Sequence, residues 1–270
     1  MYGKAFAPEY QGELRTALGV NSSYEDVRAA ADRSLETAAG PLERARASLA
    51  LAEANRRLGR VREAGDAWRG SYRSARSAGH TGAMAWALWS GGTLARQCGS
   101  LRLARRLLGH AVTLAAESDD RLAHGRAWSL RGVADVLSVR GEPDRALALL
   151  SEAEGICRAM DLASALAYNH KMRANVLYRD GRYEAARDTY ASTLAEFRAL
   201  HEPRGAALCR LGLVKSRSRL GRDQRATLAE LDVLDADFTR IGLRHAREMV
   251  VAFRAETARG GMRSEHREAA

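Results

Sequence analysis

Glycine recurs at a fixed spacing through most of this chain. Counting from one glycine to the next gives intervals of 40 or 42 residues, in the series Gly59, Gly99, Gly141, Gly181 and Gly221, with Gly261 in phase. The intervening stretches are rich in Ala, Leu, Arg and Glu, which are good helix formers. A repeat of this length is typical of a solenoid of stacked helix pairs. The spacing therefore predicts an all-α solenoid with a left-handed glycine between the two helices of each pair.

Other positions keep a fixed distance from these glycines. Five residues after each glycine stands an alanine: Ala64, Ala104, Ala146, Ala186 and Ala226. Seven residues before it stands a mostly small residue: Ala52, Gly92, Ala134, Ala174 and, as the exception, Val214. Small residues at both positions allow the two helices of a pair to approach closely. Nine residues after the glycine stands a bulky residue in four repeats: Trp68, Leu108, Leu150 and Tyr190. The fifth repeat has Glu230 there, which predicts a less buried second helix.

This pattern of glycine, alanine and aromatic residues resembles the tetratricopeptide repeat (TPR) over roughly residues 43–261. The common form of the repeat is shorter and closes with a proline, and here only Pro203 lies near such a junction. The longer period is similar to that of the arrays in bacterial signalling regulators and kinesin light chains. The resemblance implies a right-handed α-solenoid of antiparallel helix pairs, with a concave groove lined by the first helix of each pair.

The same register divides the chain into four parts. Residues 1–42 are expected to form an N-terminal helical cap or degenerate repeat, with a helix over about Pro8–Leu18 and a second one that Gly40 and Pro41 stop near Ala39. Residues 43–242 are predicted to form five helix pairs. Residues 243–259 are predicted to form a helix that caps the open end of the stack, and residues 260–270 a polar, frayed tail.

The net charge of +10 comes almost entirely from arginine, because only Lys4, Lys171 and Lys215 are lysines. Such an excess is consistent with an anionic partner, such as an acidic peptide, phosphate groups or nucleic acid. Codon bias in a GC-rich genome would produce the same composition. Net charge alone does not decide between these explanations.

Cysteine usage and hydropathy indicate a cytoplasmic protein. Cys98, Cys157 and Cys209 are odd in number and widely spaced, which argues against a disulfide framework and against structural zinc. The N-terminus lacks the apolar core of a signal peptide. The longest uncharged run, between Arg76 and Arg96, is diluted by glycine and polar residues, and we interpret it as buried helix rather than a membrane span.

No catalytic signature is present. The sequence contains no P-loop, GxSxG, HExxH or GxGxxG motif. Asp120 and His124 share a helix face, but a solvated pair explains that spacing as well as acid–base chemistry does. His245 and Glu248 supply at most two ligands, which do not make a metal site. The sequence therefore predicts no catalytic residue, no metal and no cofactor.

Candidate binding residues follow from the register that the TPR resemblance implies for the groove. The groove-facing aromatic and basic side chains, together with one asparagine, are Trp86, Trp89, Arg96, Trp128, Arg131, Tyr168, Lys171, Asn175, Tyr178, Arg179, Lys215 and Arg219. Further positions on the same face are Arg46, Glu53, Arg56, Arg57, Thr93, Gln97, Asp135, Ser138 and Ser218. Aromatic and arginine side chains are common interface anchors. A shift of one residue would instead pack the tryptophans between repeats, and this alternative stays open.

Lys171 and Asn175 occupy places that a lysine and an asparagine hold in TPR domains that clamp a peptide C-terminus. The rest of that clamp is missing, because Gly212 stands where the next repeat would supply a polar side chain. An asparagine that holds a peptide backbone, as in bacterial peptide-sensing regulators, remains possible. Those regulators usually carry a helix-turn-helix domain, for which the residues before the array look too few, so direct DNA recognition is not expected.

The sequence therefore favours a non-enzymatic, regulatory or scaffolding module that binds an extended protein or peptide segment in an aromatic and basic groove, with an acidic segment as one option. Binding of RNA by the same arginines and aromatic rings is one alternative. An atypical biosynthetic enzyme that uses the groove as a pocket is another. No membrane partner is expected, and a homodimer is left open.

Overall fold

A computed structural model describes residues 23–116, 123–221 and 223–268, with side chains described for 23–116, 125–221 and 223–258. Over these residues the chain is helical and contains no strand. The first six helices are α1 Tyr24–Glu36, α2 Pro41–Arg57, α3 Val61–Ser77, α4 Thr81–Gln97, α5 Leu101–Ala116 and α6 Ala123–Val139. The other six are α7 Pro143–Ala159, α8 Ala163–Arg179, α9 Tyr183–Ala199, α10 Pro203–Arg219, α11 Gln224–Ile241 and α12 Arg244–Glu268.

The predicted helix pairs are present: α2/α3, α4/α5, α6/α7, α8/α9 and α10/α11. All five glycines of the series follow the first helix of their pair and have φ values from 75° to 88°. At Gly181 the turn is closed by two backbone hydrogen bonds, from Gly181 N to Tyr178 O and from Arg182 N to Leu177 O. Glycine adopts this left-handed conformation without a steric penalty. The prediction of an all-α solenoid is confirmed.

A second series of left-handed residues links one repeat to the next. It consists of Gly79, Asp161, His201 and Gly242, with φ values from 51° to 75°. Two members are not glycine, so a count of glycines alone does not reveal this series. Asp and His tolerate left-handed backbone better than most residues do. Every described turn between helices from Gly59 to Gly242 thus contains a residue with positive φ.

The alanine register holds in four repeats and shifts in the fifth. Ala64, Ala104, Ala146 and Ala186 are buried, whereas Ala226 is partly exposed. The shift arises because α11 begins three residues after its glycine, where Asp223 caps it by accepting a hydrogen bond from Ala226 N at 2.7 Å. Leu231 therefore takes the buried place instead of Glu230. The expectation of a less buried second helix is wrong, since Leu231, Leu234 and Phe238 are fully buried.

Bulky side chains of the second helices pack directly on glycines of the next first helix. A Cβ at Gly212 would lie 2.3 Å from Cζ of Tyr190, and one at Gly205 would lie 2.4 Å from the ring of Phe197. Leu108 makes a similarly close approach to Gly92 within its own pair. Such contacts leave no room for any side chain at these glycines. Gly212 is thus required by the packing of Tyr190.

The terminal helices differ in part from expectation. Ser23 and Asp26 form a capping box at the start of α1, which ends at Glu36 rather than near Ala39. Pro41 is the first residue of α2, and the helix expected over Pro8–Leu18 lies outside the described residues. The last helix, α12, continues to Glu268 rather than ending near Ala258. Gly261 therefore lies within a helix and marks no turn.

The two ends of the solenoid meet. Tyr24 of α1 is fully buried in one apolar cluster with Leu211 of α10 and Val250 of α12. Arg204 Nη1 donates to the hydroxyl of Tyr24 at 3.4 Å. Close approaches of Leu58 to Gly242 and of Arg244 to Gly59 continue the junction. The expectation that α12 caps an open end is therefore wrong, because α12 packs against the first repeat and closes the superhelix.

The described helices include none with both the length and the apolar character that crossing a membrane requires.

Candidate ligand cavity

A cavity of about 320 Å³ lies inside the closed superhelix. It is lined by side chains of the first helices α2, α4, α6, α8 and α10 and of the closing helix α12. Its floor contains the buried residues Trp128, Tyr168 and Arg204, which come from the N-terminal halves of their helices. His245 and Met249 of α12 are partly exposed and lie at its mouth.

Ten of the twelve candidate residues line this cavity: Trp89, Arg96, Trp128, Arg131, Tyr168, Lys171, Asn175, Tyr178, Arg179 and Lys215. Trp86 does not, because it is buried behind Trp89 and Trp128. Arg219 lies outside, where it pairs with Glu256 and donates to the hydroxyl of Tyr178 at 3.3 Å. A ligand-binding role for the ten residues stays a prediction.

The lining is strongly cationic. Among the described residues that line the cavity the only acid is Asp135, whereas eight side chains are arginine or lysine: Arg56, Arg57, Arg96, Arg131, Lys171, Arg179, Arg204 and Lys215. A concave surface with one sign of charge and low-dielectric walls concentrates the electrostatic field. The cavity therefore favours an anion.

Asp135 neutralises two of these cations and joins three repeats. Its Oδ2 lies 2.8 Å from Arg96 Nε of α4 in an ion pair, and its Oδ1 accepts from Arg179 Nη1 of α8 at 2.8 Å. Burial by itself would raise the pKa of Asp135. The adjacent Arg96, Arg179 and Lys171 outweigh burial, so the pKa is lowered and Asp135 is ionised at neutral pH.

Glu53 similarly neutralises the two arginines of α2 that line the cavity. Its carboxylate accepts from Arg56 Nη2 at 2.8 Å and from Arg57 Nη1 at 2.7 Å, and it also accepts from Ser90 Oγ of α4 at 2.8 Å. Burial would raise the pKa of Glu53, but the two arginines and these hydrogen bonds lower it well below its usual range. Arg56 also donates to Gln97 at 3.1 Å. These two arginines are therefore held in place by protein partners.

The aromatic residues form a continuous chain of ring contacts across three repeats. Ring centroids lie 5.3 Å apart for Trp86 and Trp89, 5.4 Å for Trp89 and Trp128, and 5.5 Å for Trp128 and Tyr168. Phe197 extends the chain at 4.7 Å from Tyr168. The tryptophans thus pack between repeats, and Trp89 and Trp128 also line the cavity. The two alternatives from the sequence, tryptophans that line the groove and tryptophans that pack between repeats, are therefore both present.

Three cavity cations form no direct ion pair with a carboxylate among the described residues: Arg131, Lys171 and Lys215. Asp135 acts on the first two, and Glu256 on Lys215, only from a longer distance. The Cζ of Arg131 lies 3.5 Å from the centroid of the Trp128 ring, and Lys215 Nζ lies 4.9 Å from that of Tyr178. Burial is the largest cause that lowers the pKa of each of the three side chains; the pKa is lowered to about 9 for Arg131 and to about 8 for Lys171. Their charges are thus only partly compensated.

The side-chain oxygen of Asn175 already accepts a hydrogen bond within the protein. The hydroxyl of Tyr190 donates to Asn175 Oδ1 at 2.6 Å, and Asn175 Nδ2 lies 3.7 Å from the sulfur of Met172, a weak contact. The amide nitrogen is therefore the part of Asn175 available to a ligand. An amide that bonds a peptide backbone with both its oxygen and its nitrogen would have to share the oxygen with Tyr190.

Sequence reasoning missed Arg204 and the contribution of α12. Arg204 donates from Nε to the hydroxyl of Tyr168 at 2.7 Å and lies on the cavity-facing side of α10. It precedes Leu208, Leu211 and Lys215 at helical spacing, so extending the groove-facing stripe by one turn would have found it. Leu243, His245, Ala246 and Met249 line the cavity only because the ends meet, and no local pattern signals that closure.

The weaker chemical candidates remain unsupported. Asp120 and the side chain of His124 lie outside the described residues. His245 Nδ1 lies 3.7 Å from Glu248 Oε2, and burial together with Arg96 and Arg56 lowers the pKa of His245. Within the described part of the chain no group of three His, Cys, Asp or Glu residues is placed to hold a metal ion.

Known structures share this fold. A Rap protein complexed with competence and sporulation factor superimposes with a TM-score of 0.68 and 12% identity, over 87% of this chain and 65% of that one. The apo form of RapI gives 0.56 and 12% over 96% and 98% of the two chains. A putative kinesin light chain from Podosopora anserina, with nearly identical TPR-like repeats, gives 0.50 and 16% over 74% and 96%.

The fold is TPR-like. At these identities the similarity concerns the fold alone, and this chain spans 65% of the length of the Rap protein in the complex. No protein-family model and no curated protein matches the sequence.

Proposed function

We propose that this protein is a non-enzymatic binding module, in a regulatory or scaffolding role, that holds a short acidic peptide segment in its cavity. The observation that carries the proposal is the charge imbalance of the described lining, where eight cations are opposed by Asp135 within the lining and by Glu53 behind Arg56 and Arg57. Among the described residues, three of these cations form no direct ion pair with a carboxylate: Arg131, Lys171 and Lys215. Carboxylates form charge-assisted hydrogen bonds with both arginine and lysine.

Cavity size supports a short ligand rather than the extended segment that the sequence suggested. A volume of about 320 Å³ lies near the lower end of the roughly 300–1,000 Å³ typical of ligand pockets. Contact between the two ends of the solenoid restricts the path along which a long peptide would continue. The Rap protein of similar fold was crystallised with competence and sporulation factor, so a ligand-bound solenoid of this shape has a precedent.

The geometry argues against RNA as the ligand of this cavity. A nucleic-acid chain needs an open basic groove and exposed aromatic faces on which bases stack. Here Trp86, Trp89 and Trp128 are buried against one another, and Arg131 covers Trp128. An enzymatic function is not favoured, because the described residues that line the cavity include no nucleophile–base pair.

Binding of synthetic tetrapeptides that carry two or three Asp or Glu residues tests the proposal. Changes in tryptophan fluorescence should report occupancy, because Trp89 and Trp128 line the cavity. Peptides with Asn and Gln in place of the acids are the ligand control, and a short single-stranded RNA tests the alternative. We expect saturable binding of acidic peptides only.

A matched pair of variants on α10 locates the site. Lys215 faces the cavity, whereas Arg217 is exposed on the opposite side of the helix and is not a lining residue. Lys215→Gln should weaken acidic-peptide binding by about tenfold or more, the loss expected for a hydrogen bond to a charged group. Arg217→Gln should change it less than about twofold. Equal effects of the two variants, or binding of RNA but of no acidic peptide, would contradict the proposal.

A further inference from the structure

Two of the cations that form no direct ion pair with a carboxylate in the described structure, Arg131 of α6 and Lys171 of α8, occur at the same level of consecutive first helices. Each is the ninth residue of its helix, since α6 begins at Ala123 and α8 at Ala163. Both side chains line the cavity. Arg131 is among the charged groups that act on the pKa of Lys171, and Lys171 is among those that act on the pKa of Asp135. The carboxylate that acts on both, Asp135, is held by an ion pair with Arg96 and a hydrogen bond from Arg179.

We propose that Arg131 and Lys171 form an anion site for one compact, doubly charged group, a phosphoryl group carried by the ligand. This inference rests on the proposed function and specifies the chemistry of that ligand. A single carboxylate would neutralise only one of the two cations. A phosphoryl group carries close to two negative charges at neutral pH and offers three acceptor oxygens to both side chains.

Arg131 is held in a position that suits an oxyanion. Its guanidinium lies over the Trp128 ring and beside Tyr168, with Cζ 3.5 Å from the Trp128 centroid and 5.5 Å from that of Tyr168. Ring contacts of this kind stabilise a cation but leave the N–H groups at the edge of the guanidinium unbonded. Among the described residues Arg131 donates no hydrogen bond. Its planar set of N–H donors matches the oxygens of a phosphate.

Lys171 lies among groups of both signs. Burial is the largest cause that lowers its pKa. Cys209 of α10 and Asp135 of α6 raise the pKa, and Arg131 of α6 and Arg204 of α10 lower it further. Arg204 is hydrogen-bonded to Tyr168, so it adds charge to the floor while being held by the protein. A buried cation is costly unless an opposite charge accompanies it. A bound dianion would supply that charge.

Inorganic phosphate, titrated calorimetrically into the full chain at pH 7.5 and constant ionic strength, tests the site. Sulfate is a second dianion, and acetate and chloride are the monoanion controls. We expect one saturable site for phosphate and sulfate and none for the monoanions. Binding should weaken about tenfold for each pH unit above 8, because Lys171, whose pKa is lowered to about 8 by burial, loses its proton there while phosphate keeps both charges.

Variants assign the site to these two residues. Arg131→Gln and Lys171→Met should each weaken phosphate binding at least tenfold. Lys171→Arg should bind phosphate as the wild type does at pH 7.5, and its binding should not weaken above pH 8. Arg217→Gln is the control, because Arg217 is exposed on α10 and does not line the cavity, and it should change binding less than threefold. Thermal unfolding of each variant shows whether it is folded. Phosphate binding that survives both Arg131→Gln and Lys171→Met in folded protein would overturn the site.

Two further probes distinguish a phosphorylated peptide from a small phosphorylated molecule as the source of the phosphoryl group. A tripeptide with a central phosphoserine should compete with phosphate if a modified peptide is the ligand, and glycerol 3-phosphate alone should compete if a small phosphorylated molecule is. If unphosphorylated acidic peptides bind but phosphate does not displace them, the anion site is wrong and the proposed function stands. If phosphate binds and no peptide of either kind does, the anion site stands and the proposed function fails.

Discussion

Arg179 of the fourth repeat donates from Nη1 to Oδ1 of Asp135 in the third repeat across 2.8 Å. The other carboxylate oxygen lies at the same distance from Arg96 of the second repeat in an ion pair. In a solenoid each repeat depends mainly on its immediate neighbours. Asp135 joins the third repeat to both of its neighbours through one side chain, so its ionised state supports the inner wall of the cavity.

Replacement of Asp135 with Asn should destabilise the protein at neutral pH by about 2 kcal/mol. This is less than the loss expected for a fully buried ion pair, because Arg96 and Arg179 remain partly hydrated. The pKa of Asp135 is lowered in the fold, so its stabilisation is present above the unfolded value of about 3.9 and is lost as pH falls through the lower folded value. Urea unfolding at pH 7 and pH 3 should therefore show a difference between wild type and Asp135→Asn that shrinks on acidification.

Ser138→Ala is the control for the Asp135 network. Ser138 accepts from the same Arg179 nitrogen at 3.2 Å but carries no charge. Its removal should cost about 1 kcal/mol or less, with no dependence on pH. A pH-independent loss in Asp135→Asn would mean that the carboxylate contributes shape rather than charge.

Gly212→Ala should destabilise the protein by about 2–3 kcal/mol, because the new Cβ would lie 2.3 Å from Cζ of Tyr190. The displaced ring would also lose the hydrogen bond from its hydroxyl to Asn175. Gly155 lies inside α7 with no atom within 4 Å of an added Cβ. Gly155→Ala should therefore stabilise by about 0.5–1 kcal/mol through helix propensity. Thermal unfolding of the two variants should show shifts of opposite sign.

Lys171→Met should stabilise the unliganded protein at pH 7. Burial is the largest cause that lowers the pKa of Lys171 to about 8, below the unfolded value of about 10.4. Below pH 8 the lysine is charged in both states and the whole cost of burying the charge is present, on the order of 3 kcal/mol. Between pH 8 and 10.4 the unfolded state binds more protons, so wild-type stability rises with pH relative to the variant.

Chemical denaturation at pH 7 and pH 10 measures this change. The advantage of Lys171→Met should be largest at pH 7 and should decline toward pH 10. Asp135, Arg131, Arg204 and Cys209 are the charged and titratable groups that face Lys171, and none of them is altered in the comparison. An advantage that stays constant across this pH range would show that the lysine charge is not the cause.

Tyr24→Ala should open the junction between the two ends of the solenoid. The ring is fully buried between α1, α2 and the C-terminal helices, so truncation should cost about 3–5 kcal/mol. Hydrogen exchange should become faster in α12 while the central helices α6 and α8 keep their protection. Tyr24→Phe, which removes only the acceptor for Arg204, should cost about 1 kcal/mol. Unchanged exchange in α12 of Tyr24→Ala would mean that the junction does not depend on this ring.

Local periodicity was sufficient for the helix pairs and for most of the cavity wall. Gly181 and Ala186 indicated the bend and the close helix contact, and the inner positions of α8 from Tyr168 to Arg179 followed from helical spacing alone. In the fifth repeat, one residue more between Gly221 and α11 moved Leu231 into the place expected for Glu230. Such a shift depends on where Asp223 caps the helix, and counting residues from the glycines does not reveal it.

Long-range contacts account for what the sequence did not predict. Tyr24 and Arg204 are separated by 180 positions, and their meeting depends on the accumulated rotation of five helix pairs. A small change in the rotation per repeat decides between an open groove and a closed cavity, and no single residue encodes it. The burial of Trp86 behind Trp89 and Trp128 depends on the same curvature, because it sets how deeply the inner side chains crowd together.

The junction between α1 and α12 also limits how such a chain can change over evolutionary time. An open array gains or loses a repeat by duplication or deletion, and its other repeats keep their contacts. In this protein an added helix pair would displace Arg244 from Gly59 and Tyr24 from Arg204. The number of repeats is therefore fixed by the circumference of the molecule, and change is confined to substitutions within the existing wall.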